Sequence, residues 1–175
     1  MNGALWMRTI PICKICAKTG VLCNSCQSKL ERGEITQLDI DLSNFLMDIE
    51  NRFAALKNTN FYKSIEVGSV LIILVGKGDI ASLIGPRGKL IKLLQEKFGR
   101  NIRIIEKVAD LKKILEDLIV PAELLGMNKI YLPTGDVESK ARLKFSDENR
   151  LPARRDVLEE VIYQLTNERI RIVFE

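Results

Sequence analysis

The stretch "IASLIGPRGKLIKLL", residues 80–94, leaves the chain few options. Apolar residues recur at helical spacing on both sides of "GPRG". Pro86 has no amide hydrogen and restricts Gly85 before it, so one helix must stop there. A second helix resumes at once near Gly88 and runs to Phe98. Leu90, Ile91, Leu94 and Phe98 face inward; Lys89, Lys92 and Glu96 face out. Gly99 suits its end, and Asp79 is placed to cap the short first helix, "IASLI". Two helices therefore meet at a four-residue turn. What lies around the turn is equally patterned. "DLSNFLMDIENRFAAL" reads as a helix carrying Leu42, Phe45, Leu46, Ile49, Phe53 and Leu56, with Asp41 as its cap. "FYKSIEV" alternates, with Phe61, Ile65 and Val67 on one side and Tyr62, Ser64 and Glu66 on the other. Gly68-Ser69 is a hairpin turn, "VLIILV" (70–75) is apolar on both faces and so a central strand, and "NIRIIE" (101–106) is a strand.

The C-terminal part repeats this order. "DLKKILEDLIVPAELLG" opens as a helix with Leu111, Ile114, Leu115 and Leu118. "MNKIYLP" is a strand, "TGD" a turn, and "VESKARLKF" alternates: Glu138, Lys140, Arg142 and Lys144 on one face, Ser139, Ala141, Leu143 and Phe145 on the other. After a polar loop, Val157, Leu158, Val161, Ile162 and Leu165 mark a helix, and "RIRIVF" closes the chain as a strand. Superposing the long helices sets Pro152 against Gly85 and Arg155 against Gly88, with Arg154 against Arg87. The repeat follows the same list with the short first helix eroded, and it has lost the glycines.

The order helix, strand, strand, helix, GxxG, helix, strand resembles a K-homology domain of the prokaryotic (type II) topology over residues 39–107. The second set resembles a degenerate K-homology unit without the GxxG turn. Two such units in tandem, joined by "VPAELLGMNKIYLP", are similar to the RNA-binding part of archaeal NusA-like transcription elongation and termination factors. The resemblance implies an RNA-binding protein without catalytic activity. It leaves RNA polymerase or the ribosome as an open partner, since the S1-like and polymerase-binding parts of the bacterial proteins have no counterpart here. The fold expected is α+β: a small zinc-binding module over 1–36, a K-homology domain over 37–108 and a degenerate one over 109–175.

The residues of the turn make the same case in physical terms. Helix N-termini beside a glycine-rich turn offer amides to phosphate. Bare Gly85 and Gly88 let a sugar-phosphate chain approach the backbone; Pro86 lies between them, and Arg87, Lys89, Lys92 and Lys77 add positive charge. Ile80 and Ile84 on the first helix can support unstacked bases of single-stranded RNA. In the second unit Arg154 and Arg155, with Arg150, can meet phosphate as point charges. The alternatives are a plain helix-turn-helix corner and a solvated arginine loop. Another reading takes "GKGDIA" after a strand as G-x-G-x-x-A (Gly76, Gly78, Ala81), with Glu106 as the ribose acid of a dinucleotide-binding enzyme. Pro86 opposes it by cutting the helix that should follow, as does the lack of a further strand-helix series. A ribosome-associated or RNA-processing factor using the same clamp is a further alternative, and so is an adaptor docking through its cysteine module.

All four cysteines fall in "CKICAKTGVLCNSC" as C-x2-C-x6-C-x2-C: Cys13, Cys16, Cys23 and Cys26. Two such pairs can place four thiolates around one tetrahedral zinc ion, with no open position for chemistry. Two disulfides or an iron–sulfur site are the alternatives. Histidine is absent from the sequence, which removes the commonest general base. A net charge of +4 is too mild to identify a partner, so local clustering has to. No apolar run approaches the roughly 20 residues that cross a bilayer. "MNGALWMRTIPI" is interrupted by Arg8 and lacks the pattern of a signal peptide. The expected location is cytoplasmic, away from membranes.

Overall fold

The structure, a computed structural model, describes residues 8–175; the part of the N-terminal reading that falls on residues 1–7 lies outside them. Its described residues form a mixed α+β fold with two three-stranded sheets. They divide into two compact units: residues up to Ser64 with Ile73–Lys107, and Ile65–Ile72 with Val108–Glu175.

Two short helices, α1 (Lys14–Thr19) and α2 (Asn24–Glu31), begin the first unit. Cys13 and Cys23 stand at their N-caps, each with its sulfur accepting from the amide three residues on. Helix α3 (Gln37–Ile49) follows. Its cap is Thr36, not Asp41 as expected. Thr36 and Asp39 form a reciprocal capping box, Asp39 N to Thr36 Oγ1 at 3.2 Å and Thr36 N to Asp39 Oδ2 at 2.9 Å, which satisfies two backbone donors at once. The helix also ends sooner than its pattern implied, and a 3-10 turn, Ala54–Asn58, carries the buried Leu56.

Strands β1 (Phe61–Val67), β2 (Val70–Val75) and β3 (Asn101–Glu106) form the first sheet in the order β1-β2-β3. The central place of β2 explains why it is apolar on both faces. Ser64, expected on an outer face, is buried. Its amide and hydroxyl both donate to Asp39 Oδ1 at 2.6 Å, so one buried carboxylate joins α3 to β1. Helices α4 (Ile80–Ile84) and α5 (Lys89–Phe98) pack on β3 and on each other. Leu83, Leu90 and Leu94 are fully buried. Gly99 ends α5 in a left-handed conformation, as its position predicts.

The cysteine segment is fixed to the rest of this unit at several points. Ile12, Cys16, Ala17, Cys26, Ile35, Ile40 and Met47 form one buried cluster, with α1 lying on α3. With its amide oriented to satisfy both groups, Asn44 of α3 donates to Cys16 O (3.1 Å) and Ala17 O (3.0 Å). Arg8 donates to Leu56 O and pairs with Glu50 at 2.9 Å. Thr9 O accepts from Phe61 N at 2.9 Å.

In the second unit, α6 (Leu111–Ile119) and α7 (Arg155–Thr166) pack together beside a sheet of β4 (Leu124–Tyr131), β5 (Val137–Leu143) and β6 (Ile170–Phe174). β4 runs antiparallel to β5, with Met127 opposite Ala141; β6 runs parallel, with Ile172 opposite Ala141. Ser139, Ala141 and Leu143 face the core as the alternation required. Phe145 does not. β5 ends at Leu143, a 3-10 turn (Phe145–Arg150) follows, and Phe145 is 69% exposed.

Candidate functional site

The G-P-R-G turn has an unusual backbone. Gly85 adopts φ 74° and ψ 176°, a region open almost only to glycine. A Cβ there would lie 2.7 Å from Leu90 Cβ and 3.0 Å from Leu90 N, so the start of α5 occupies the space a side chain would need. Pro86–Gly88 make one 3-10 turn, closed by Gly88 N to Gly85 O at 3.2 Å. Arg87 sits at φ 55°, ψ 28° within it, a left-handed conformation that non-glycine residues rarely take. Gly88 follows at φ 70° and caps α5 with no side chain. The N-terminal end of α5 thus faces outward, bearing the partial positive charge of a helix start.

Around this turn the expected residues come together in part. Pro86, Arg87, Lys89 and Lys92 are exposed. Ile84 is 37% exposed at the end of α4, Ile80 is half-buried at its start, and Lys77 is exposed one short helix away from the turn. Among the described residues no carboxylate pairs with Lys77, Arg87, Lys89 or Lys92. The result is a strained, uncapped turn carrying unneutralised cations beside an apolar edge, an arrangement that can hold an anion and a flat apolar group side by side. Arg103 of β3 was not singled out from sequence. It is half-buried, and burial holds its guanidinium below the ordinary arginine range. The only signal for it was a charge set among the isoleucines of "NIRIIE".

The loop before α7 in the second unit differs in both respects. Its backbone has no positive φ between Lys144 and Thr166. Arg154, the residue before α7, makes a two-pronged pair with Asp156, Nε to Oδ1 at 3.1 Å and Nη2 to Oδ2 at 2.9 Å. Arg150 is held by Asp147 at 2.7 Å. The Glu123 amide, with Arg150 beside it, keeps the Asp147 carboxyl below the usual carboxylate range. Arg155 alone of the three has no ion pair among the described residues.

The turn at residues 76–79 is closed on itself. Gly78 N donates to Glu106 Oε1 at 3.1 Å. Asp79 does not cap α4; its Oδ2 accepts from Asn60 N at 3.0 Å. That oxygen also lies 2.5 Å from where a Gly76 Cβ would be. The amide and the acid that a dinucleotide would need are therefore bonded to each other, and α4 is only five residues long. This geometry argues against the G-x-G-x-x-A reading.

The four cysteines converge. Their sulfurs all lie within 4.8 Å of one another, with Cys13 and Cys16 at 3.2 Å and no disulfide formed. Bonds of about 2.3 Å in a tetrahedron place sulfurs roughly 3.8 Å apart, inside this range. Backbone amides point at the sulfurs: Cys23 N to Cys16 Sγ at 3.1 Å and Cys13 N to Cys26 Sγ at 3.4 Å. The Cys26 amide, with a smaller contribution from the Cys16 thiol, lowers Cys23 to about 7. The Cys16 amide lowers Cys13 in the same way. Burial raises Cys16 to about 12 and also raises Cys26. Two thiols ready to ionise and two needing a cation to do so form a donor set fit for a thiophilic metal ion.

No family model matches the chain. Two curated relatives are similar to part of it. The "Probable transcription termination protein NusA" of Methanococcus vannielii is 32% identical over 72 residues, 41% of this chain and 42% of that protein. The protein of the same name from Methanocaldococcus jannaschii is 35% identical over 51 residues, 29% of this chain and 28% of its own. Part of the chain is thus similar to archaeal proteins named NusA. The chain spans less than half the length of these relatives. The crystal structure of APE1850 superposes with a TM-score of 0.53 at 24% identity, over 73% of this chain and 96% of that one. That likeness is one of fold. Among the described residues, no helix is long and apolar enough to cross a membrane.

Proposed function

We propose that this chain is a non-catalytic RNA-binding protein of the NusA kind, acting in transcription elongation or termination. In this reading residues 37–108 are a type II K-homology domain, 109–175 a degenerate second one, and 1–36 a zinc module. The observation that carries it is the G-P-R-G turn, whose glycine-only backbone and unpaired cations meet at the start of α5. A phosphate would lie against the turn's backbone at Gly85 and Gly88: a Cβ at Gly88 would meet only Ile91, and the bare Gly85 lets α5 start close behind. Arg87 and Lys89 would neutralise it, and Lys77 and Lys92 would draw the strand in. Ile80 and Ile84 would carry the unstacked bases. Such a clamp spans four nucleotides. Arg154 and Arg155 would make a weaker contact, since Arg154 must first leave Asp156. The names of the two archaeal relatives support the transcriptional setting, and RNA polymerase is the partner that setting implies.

Zinc is the metal proposed for Cys13, Cys16, Cys23 and Cys26. Four sulfurs with no histidine or water-binding position make a structural site. The test of the clamp is a titration of labelled protein with a four-nucleotide single-stranded RNA. Amide shifts should concentrate in residues 84–92. Shifts confined to the second unit, or none at saturating RNA, would contradict the proposal.

A further inference from the structure

The cysteine module exposes a surface that its own fold does not use. Ile15 is 72% exposed and Val21 71%, the two most exposed aliphatic side chains of the first unit's described residues. Both are held in place. Thr19 Oγ1 donates to Ile15 O at 2.9 Å and accepts from Val21 N at 3.3 Å. Gly20, left-handed at φ 74°, closes the turn between them through its amide to Cys16 O at 3.0 Å. These bonds fix the backbone on both sides of the turn, with the two apolar side chains exposed.

The charged residues of the segment that carries them have one sign. From Arg8 to Leu30 the sequence contains no aspartate or glutamate. Lys14 and Lys18 are exposed on α1, and no carboxylate pairs with them among the described residues. The first acids beyond, Glu31 and Glu34, are engaged locally, by Gln27 at 3.2 Å and Arg32 at 2.9 Å. A divalent ion on four thiolates carries a net double negative charge; Lys14, Lys18 and Lys29 more than neutralise it.

We infer that this face, Ile15 and Val21 flanked by Lys14 and Lys18, is a second contact for single-stranded RNA, separate from the G-P-R-G turn. The inference rests on the RNA-binding reading above. Two exposed aliphatic side chains can support an unstacked base, and lysines on either side can meet the phosphates that flank it. Two residues are too small a patch for the core of a stable protein interface, which buries some 800 Å² on each partner. A segment whose own charged side chains are all basic also suits a polyanion better than a mixed protein surface.

The experiment uses the full, metal-loaded chain and two RNAs. A four-nucleotide RNA fills the G-P-R-G clamp alone; a long unstructured RNA can reach the module as well. Ile15→Ser with Val21→Ser, and separately Lys14→Gln with Lys18→Gln, should each weaken the long RNA roughly fivefold. Both should leave the four-nucleotide RNA unaffected and the metal content unchanged. Pro86→Asp with Arg87→Asp should weaken both RNAs. Long-RNA affinity equal to wild type in both module variants overturns the inference and leaves the clamp standing. Equal loss on both RNAs means damage to the clamp unit and also overturns it. If the serine variant loses metal, the lysine variant and a photo-crosslinker at Val21 decide: crosslinks to RNA support the contact, and crosslinks to protein or to nothing overturn it. Wild-type protein that binds neither RNA defeats both readings.

Discussion

Arg87 is the residue at which fold and function pull apart. A left-handed arginine costs on the order of 1–2 kcal/mol, and nothing among the described residues pairs with its side chain. Glycine would take the same backbone without strain, at an unfolded-state cost of roughly 0.5–1 kcal/mol. Arg87→Gly should therefore leave stability within about 1 kcal/mol of wild type by urea unfolding. Its affinity for single-stranded RNA should fall about threefold or more, because the charge is gone. Unchanged affinity would make the arginine incidental. Gly85→Ala should do the opposite first, destabilising by roughly 1–3 kcal/mol as its Cβ meets Leu90. The two glycines were legible in the sequence because proline and glycine punctuate a helix wherever they occur. Asp39 was not. Its weight comes from Ser64, 25 residues away, and a partner at that distance leaves no local pattern.

The cysteine module and α3 behave as one element, since the buried cluster that contains Cys16 and Cys26 also contains Ile40 and Met47. Metal bound only by the folded state stabilises it by roughly 4 kcal/mol at a free concentration a thousand times Kd. Removing it with a strong chelator should cost helix signal from α1 and α2 and lower the melting temperature of the whole first unit. A melt unchanged by chelation would mean the thiols hold no metal. Elemental analysis should give one zinc per chain; iron with visible absorption would contradict zinc. Competition by protons should release the ion on acidification, because the thiols must lose their protons to bind. Most elements were legible from period alone: the hairpin at Gly68, the central strand and both helices at the turn stand where alternation and helical spacing set them. Boundaries were less so. Asp41 looked like a cap, yet the Thr36–Asp39 box outcompetes it by satisfying two donors. Asp79 was drawn away to Asn60. Phe145 continued an alternation that the 3-10 turn interrupts.

Each half of the chain runs from a helix through two strands and a further helix to a third strand, but the stretch before the second long helix differs: α4 and the G-P-R-G turn in one, a 3-10 turn in the other. One loop has left-handed glycines and free cations; the other has neither the backbone nor, apart from Arg155, cations free of carboxylates. The lack of glycine in the second loop was visible in "LPARRD". The neutralisation of Arg150 and Arg154 was not, because a basic cluster in sequence says nothing of which carboxylates fold back on it. RNA should therefore depend on the two loops unequally, which affinities for single-stranded RNA across a salt series measure. Pro86→Asp with Arg87→Asp places two negative charges where phosphate should lie, and repulsion at a partly screened site costs on the order of a few kcal/mol. Affinity should fall tenfold or more, with the fold intact by circular dichroism. Arg154→Ala with Arg155→Ala should cost about two- to fivefold and mainly flatten the salt dependence. A folded Pro86→Asp, Arg87→Asp protein with wild-type affinity would leave residues 84–89 as only a turn between two helices.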